Sequence, residues 1–316
     1  MEFTALNPFR NILVGLDFSP ASRTALDQAA RIAAGNDATL YVLHVVDSSI
    51  LKSVLGLVGL GTDQSMDALR DEAKELAKLV ASEGSLAVGA RVDVEVGSPV
   101  AALIRATKTH AADLIVLGVR NAAGIGNGPG PVATACLRHA PSKVLLVREG
   151  HTGPYRTMVA CTDFSDTSFL ALEQAVWMAR QDKAELRILH VATPPLSDMA
   201  FAGSPLGFWP GEPLKVMDMW NTYRAALGPQ LERFVHPLRK EMGSLTVTLD
   251  IVEHEQYGRG IAAYAKEHKA DLLVLGTHGK TNLRYAVMGS TTERVLAALP
   301  CSTLAVKPAS FSIKID

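Results

Sequence analysis

The stretch GTHGKTNLRYAVMGSTTERVLAALP, at 276–300 of a 316-residue chain, holds the residue types best suited to chemistry. Gly276 is followed after two residues by Gly279 and after nine more by Gly289, with Ser290 and Thr291 next. Glycines let backbone N–H groups approach an anion closely. A helix opening directly afterwards adds unpaired N–H donors and a positive dipole end. The spacing predicts that helix over 291–299, and Glu293 stands three residues after Ser290, as in a capping box. Ser290 and Thr291 bring hydroxyl donors. This is the chemistry of a phosphate cradle. The competing reading takes the glycines as turn punctuation and Ser290 as a plain helix cap. A strand before, a helix after and a hydroxyl pair between them favour the cradle. His278 and Lys280 lie inside the loop, where contact with phosphates and simple solvation are equally good readings.

The chain repeats the elements that must position this loop. NILVGLDFSPAS (11–22) is echoed by TMVACTDFSDTS (157–168), and YVLHVV (41–46) by RILHVA (187–192). ADLIVLG (112–118) returns as ADLLVLG (270–276), and PSKVLLVR (141–148) as PCSTLAVK (300–307). Four blocks in one order mean a duplicated domain. The blocks are runs of Val, Ile and Leu with little alternation, which suit parallel strands buried on both faces. Helical spacing covers 20–34, 66–83, 99–110 and 132–140, then 166–180, 214–242, 259–268 and 291–299. The expectation is therefore an α/β protein of two tandem doubly wound domains, 1–149 and 155–316. Each would have a five-stranded parallel sheet with helices on both faces, and EGHTGPYR (149–156) would join them. In such sheets ligands sit beyond the C-terminal strand ends. That points to the loops after Asp17 and Asp163, after Val45 and Val191, and after Gly118 and Gly276.

Composition bounds the function. A net charge of −1 without a dense Lys/Arg run argues against nucleic acid as a partner. The three cysteines, Cys136, Cys161 and Cys301, show no metal spacing. No apolar stretch reaches the roughly 20 residues that span a bilayer, and the start lacks a secretory pattern. A cytoplasmic protein without a membrane partner is expected.

With these residues in place, the chain resembles the universal stress proteins in their tandem form. Nucleotide-binding members of that family carry Gly-x2-Gly-x9-Gly-Ser/Thr after the fourth strand, matched here by Gly276, Gly279, Gly289 and Ser290. The resemblance implies the adenine-nucleotide alpha-hydrolase-like fold. It places Asp163 at the adenosine moiety with Thr162 beside it, and the Val191 backbone near the adenine. Leu275 and Gly276 would lie along the nucleotide, and Gly279, Gly289, Ser290, Thr291 and Thr292 would hold the phosphates, while His278 joins the binding candidates by its place inside the loop. The ligand implied is ATP or a related adenine nucleotide, with Mg²⁺ or Mn²⁺ as ions suited to its phosphates. Asp163 in DFSDTS also reads as an Asx turn, and both roles are compatible. His190 and His44 recur on strands, where a packed histidine is the expected role.

The first copy departs from the pattern. Asn121 stands where the second glycine belongs, and Pro131 follows Gly130 where Ser290 follows Gly289. Proline has neither N–H nor hydroxyl, so two donors disappear at once. The first half is expected to bind nucleotide weakly or not at all. Two segments, 48–64 and 192–226, have no clean period and read as apolar loops that pack on the other domain or meet a partner. No Walker lysine and no base beside a nucleophile is present, so catalysis beyond weak ATP hydrolysis is not expected. A ligand-dependent change of conformation or association is the leading function. Slow ATP hydrolysis and a purely structural protein with a vestigial site are its alternatives. Pairing of the two halves through the last strands and a homodimer complete the expected partners.

Overall fold

A computed structural model describes residues 8–47, 71, 74–75, 89–120, 128–194, 213–279 and 288–308. The segment 48–64, most of the expected helix at 66–83, Asn121 and Lys280 lie outside the described residues. The chain forms two compact units: 8–154 together with the segment from Cys301, and 155–300.

In the first unit β1 (Asn11–Leu16), β2 (Thr39–Asp47), β3 (Arg91–Gly97), β4 (Leu114–Val119) and β5 (Lys143–Arg148) line up in the order β3-β2-β1-β4-β5. All four pairings are parallel, with Ile12 opposite Leu114 and Leu117 opposite Leu146. The central strands are buried on both faces: Ile12, Val14, Leu114, Ile115, Val116 and Leu145 have no exposed surface. This is why their sequences run apolar without alternation. The edge strand β3 breaks that rule with Arg91, Asp93 and Glu95, charges that discourage pairing with another chain. Helices α1 (Pro20–Asn36), α2 (Pro99–Thr109) and α3 (Pro131–His139) cover the sheet.

The second unit repeats the plan with β6 (Thr157–Cys161), β7 (Glu185–Ala192), β8 (Val247–Glu253) and β9 (Leu272–Gly276), in the parallel order β8-β7-β6-β9. Its helices are α4 (Asp166–Asp182), α5 (Pro213–Val235), α6 (Arg239–Met242), α7 (Tyr257–Glu267) and α8 (Ser290–Ala298), with a 3-10 turn at His236–Leu238. Helix α5 begins at Pro213, which follows the helical spacing read over 214–242 and corrects the loop reading for the part of 192–226 that it covers. Leu227, Leu231 and Val235 are fully buried along one helical face of α5, and Trp220 is nearly so. The segment 149–156 ends its connecting role early: Tyr155 is completely buried, and its N–H donates to Asp182 Oδ2 at 2.9 Å.

The last strand, β10 (Ser302–Val306), runs antiparallel to β5, with Leu304 opposite Leu145. Behind it Lys307 is buried, its ammonium donating to the Leu137 carbonyl. Burial pulls the Lys307 amine down to about 8 and pushes the nearby Cys136 thiol up to about 12. Among the described residues no helix is long and apolar enough to cross a membrane.

In each unit the first strand is flanked by the second on one side and the fourth on the other. The crevice at the C-terminal ends of β1 and β4, and of β6 and β9, is the switch point of the fold.

A candidate nucleotide site in the second half

The site begins with the turn after β6. The Asp163 carboxylate accepts from the Ser165 N–H through Oδ1 at 3.0 Å, an Asx turn. Ser165 then caps α4 by accepting from the Ser168 N–H. Between them Phe164 is held in the left-handed region at φ 64°, a conformation that costs a residue with a Cβ about 1 kcal/mol or more. Packing holds it there, with its ring 4.4 Å from the His190 imidazole and 5.5 Å from Phe234. His190 Nδ1 lies 2.8 Å from the Thr162 carbonyl, and since a carbonyl only accepts, Nδ1 carries the proton. The buried Thr162 hydroxyl accepts from the Phe164 N–H and meets Ser168 Oγ at 3.1 Å. Thr162, Phe164 and His190 thus fix the turn, and Asp163 reaches the crevice from a rigid base. His190 is the packed histidine that its place on a strand implied.

The glycine loop faces that carboxylate. A Cβ at Gly279 would lie 2.6 Å from Asp163 Oδ2, so the two residues touch and no side chain fits between them. A Cβ at Gly276 would lie 3.0 Å from Thr167 Cγ2, at the first turn of α4. Gly289 donates its N–H to the Thr277 carbonyl at 2.8 Å, which closes the loop. The Thr277 hydroxyl meets His278 Nδ1 at 2.9 Å.

The opening of α8 differs from the expected capping box. Gly289 is the cap, with extended backbone at φ −69° and ψ 145° and no side-chain hydrogen bond, and Ser290 is the first helical residue. Gly289 can serve because its carbonyl accepts the first intrahelical bond, from the Glu293 N–H at 3.0 Å. Ser290 is thereby freed from capping, and its residue lines the crevice. Thr292 also ties α8 to the end of β9, its hydroxyl donating to the Gly276 carbonyl at 3.0 Å.

All these parts converge on one cavity of about 480 Å³. Thr162, Asp163, Val191, Leu275, Gly276, His278, Gly279, Gly289, Ser290, Thr291 and Thr292 all line it. Its volume lies in the range of small-molecule sites. Sequence reasoning missed Tyr223 on α5 and Tyr257 at the start of α7, which line the same cavity while 47% and 45% exposed. The signal for Tyr223 was an aromatic pair at helical spacing, since Trp220 sits three residues earlier with its ring 5.6 Å away. Burial and the neighbouring Tyr257 hold the Tyr223 phenol above its ordinary value. Among the described residues no group of three or more His, Cys, Asp or Glu side chains could hold a metal by itself.

The first half keeps one end of this arrangement and loses the other. Asp17 Oδ1 accepts from the Ser19 N–H at 3.0 Å, Phe18 is left-handed at φ 62°, and its ring lies 4.5 Å from His44. At the other end α3 opens with Pro131, Val132 and Ala133 in place of Ser290, Thr291 and Thr292. Its cap, Gly130, sits at φ 81° and makes no side-chain hydrogen bond. Gly118 survives for packing: a Cβ there would lie 2.2 Å from the Ala21 carbonyl carbon and oxygen.

Comparison with known proteins agrees with the duplicated plan. The model of the universal stress protein family matches residues 8–148, 154–207 and 218–307. A universal stress protein of Mycolicibacterium smegmatis is 24% identical over 314 residues, covering 94% of this chain and 97% of the relative. One from Methanocaldococcus jannaschii is 29% identical over 163 residues, 51% of this chain and 87% of the relative. The crystal structure of a universal stress protein from Archaeoglobus fulgidus superposes with a TM-score of 0.64 at 19% identity, covering 94% of this chain and 98% of that one. This likeness establishes the shared fold. With its domain duplicated, its sheets wound alike and its sequence matched along nearly its whole length, the chain belongs to the universal stress protein family.

Proposed function

We propose that the second half binds ATP or a related adenine nucleotide and that the protein acts through a ligand-dependent change of conformation or association. The observation that carries this reading is the meeting of Asp163 with the Gly279 backbone in the same cavity as the Ser-Thr-Thr opening of α8. A carboxylate acceptor suits ribose hydroxyls, while backbone and hydroxyl donors at a helix start suit phosphates. Tyr223 and Tyr257 offer flat apolar surface at the mouth, fit for stacking. A Mg²⁺ or Mn²⁺ ion would ride on the phosphates, with Asp163, Ser290 and Thr291 among the protein oxygens that line the cavity.

Binding rather than turnover is the reading we favour. Asp163 spends one oxygen on the Asx turn and abuts Gly279 with the other, and His190 Nδ1 is committed to the Thr162 carbonyl. These contacts suit a carboxylate that holds ligand hydroxyls and a histidine that packs the turn. Association would involve the last strands of the two copies, of which β10 pairs antiparallel with β5 within the first unit. The test is to denature the purified protein, identify any released ligand by mass spectrometry, and titrate ATP by calorimetry. An adenine nucleotide released, or ATP bound at one site per chain, is expected. Absence of both would leave a structural protein with a vestigial motif. Multiple turnovers per minute lost in Ser290→Ala would establish the enzymatic alternative.

A further inference from the structure

The first-half unit holds a cleft at the equivalent switch point, and it is larger than its counterpart, about 800 Å³ against about 480 Å³. Its β1 end keeps the Asx turn of Asp17, the left-handed Phe18 and the histidine beneath it. Burial pushes the Asp17 carboxyl up, but hydrogen bonds from Ser19 and Ser22 outweigh it and hold the group below its ordinary value. Asp17 is thus a charged acceptor at neutral pH. Its backbone N–H is taken by Ser22 Oγ at 3.2 Å, so the turn is fixed.

The opposite end has changed in kind. Where the second half offers the hydroxyls of Ser290 and Thr291 at a helix start, with Thr292 tied to the Gly276 carbonyl, the first offers the ring of Pro131, the Val132 side chain and the Ala133 methyl. Pro131 also removes the first N–H of the helix, leaving less for a phosphate to bind. Between the two ends the wall is apolar, formed by Leu16, Leu43, Leu103, Leu117 and Val119. Among the described lining residues Asp17 and Asp47 are carboxylates, while Arg120 is the one guanidinium and is exposed. This balance repels an anion and leaves an uncharged molecule unpenalised.

We propose that the first-half cleft binds an uncharged, hydroxyl-bearing ligand of nucleoside size, its hydroxyls on Asp17 and an apolar group against Pro131, Val132 and Ala133. Assigning hydroxyls to Asp17 rests on the reading of Asp163 above; the rest stands on the first half alone. The Asp17 turn also leads into the Ser19 cap of α1, so it serves the fold as well; a change of ligand is supported by an acceptor and a cleft of about 800 Å³ that remain while every hydroxyl of the opposite helix start is replaced.

The test uses the full chain carrying Gly279→Val, which closes the second site by driving a side chain onto Asp163. Calorimetry compares adenosine, 5′-methylthioadenosine, which carries a thioether where a nucleotide carries phosphate, and AMP. We expect one molecule of either nucleoside per chain, the methylthio derivative binding at least as tightly as adenosine and AMP at least tenfold more weakly. Adding Asp17→Asn weakens nucleoside binding about tenfold or more, as for a lost bond to a charged acceptor. Adding Val132→Trp instead fills the cleft and abolishes binding without touching the Asp17 turn. AMP binding as well as adenosine, no binding of either nucleoside, or binding indifferent to both added changes would overturn the proposal. ATP titration of the chain without Gly279→Val reports the second-half site separately, so the two readings fail independently.

Discussion

Replacing Gly118 and Gly276 by alanine separates the packing role of the shared glycine from any ligand role. A Cβ at Gly118 would sit 2.2 Å from the Ala21 carbonyl carbon and oxygen and 2.5 Å from the Ser22 nitrogen. Ordinary contacts there are about 3.4 Å, so the overlap exceeds 1 Å against backbone that cannot rotate away. β4 and α1 must separate, which costs about 3 kcal/mol or more, at the upper end of overpacking effects. At Gly276 the nearest atom is the Thr167 Cγ2 methyl at 3.0 Å, followed by Thr167 backbone at 3.3 Å. That contact yields with a small shift, and the roughly 0.5–1 kcal/mol gained by replacing a strand glycine offsets much of it. Gly118→Ala is therefore expected to destabilise its unit severely, and Gly276→Ala by about 1 kcal/mol or less. The three tryptophans, Trp177, Trp209 and Trp220, all lie in the second half, so their fluorescence follows that unit in urea. Hydrogen exchange of the β4 amides follows the first. A Gly118→Ala chain whose β4 amides keep parental protection would refute the packing argument.

Two further outcomes follow from the same geometry. Buried Lys307 loses its proton near pH 8 when folded but near its ordinary 10.5 when unfolded, so between pH 8 and 9 the unfolded chain binds more protons and stability rises. The slope is at most about 1 kcal/mol per pH unit. Above pH 9 Cys136, held to about 12 when folded, acts in the opposite sense and blunts the rise. Urea midpoints of the first-half unit at pH 8 and 9 should show this rise, and Lys307→Met should flatten it. Tyr223→Ala combined with Tyr257→Ala should weaken adenine-nucleotide binding about tenfold, as for a lost stacking surface, while leaving the second-half unfolding midpoint within about 1 kcal/mol.

Much of the fold was legible because its strands are buried on both faces. Apolar runs such as VLLV at 144–147 have few other places to go. The candidate site was legible for a related reason. Its residues sit at strand ends and a helix start, so knowing those elements locates the crevice. Three features were not. Tyr223 lies within 214–242, whose helical spacing was legible, yet Pro, Met and aromatic residues up to 226 also read as a loop, and the burial of Leu227, Leu231 and Val235 sets which face of α5 turns inward. The Ser290–Glu293 spacing suggested a capping box, yet the cap falls on Gly289, because local spacing does not tell which residue leaves the helix first. Gly118 aligns with Gly276 of the binding motif, but its need is a helix backbone 2.2 Å from where a Cβ would stand. A contact between elements far apart in sequence has no local signature.

The central claim is that the Ser290-Thr291-Thr292 opening of α8 is a phosphate site. It is tested most directly by giving the second half the first-half residues, Ser290→Pro, Thr291→Val and Thr292→Ala, and titrating ATP and adenosine by calorimetry. The account predicts that ATP affinity falls at least tenfold, as for lost hydrogen bonds to a charged group, while adenosine affinity changes by less than about threefold. ATP and adenosine weakened equally, or ATP unaffected, would contradict it.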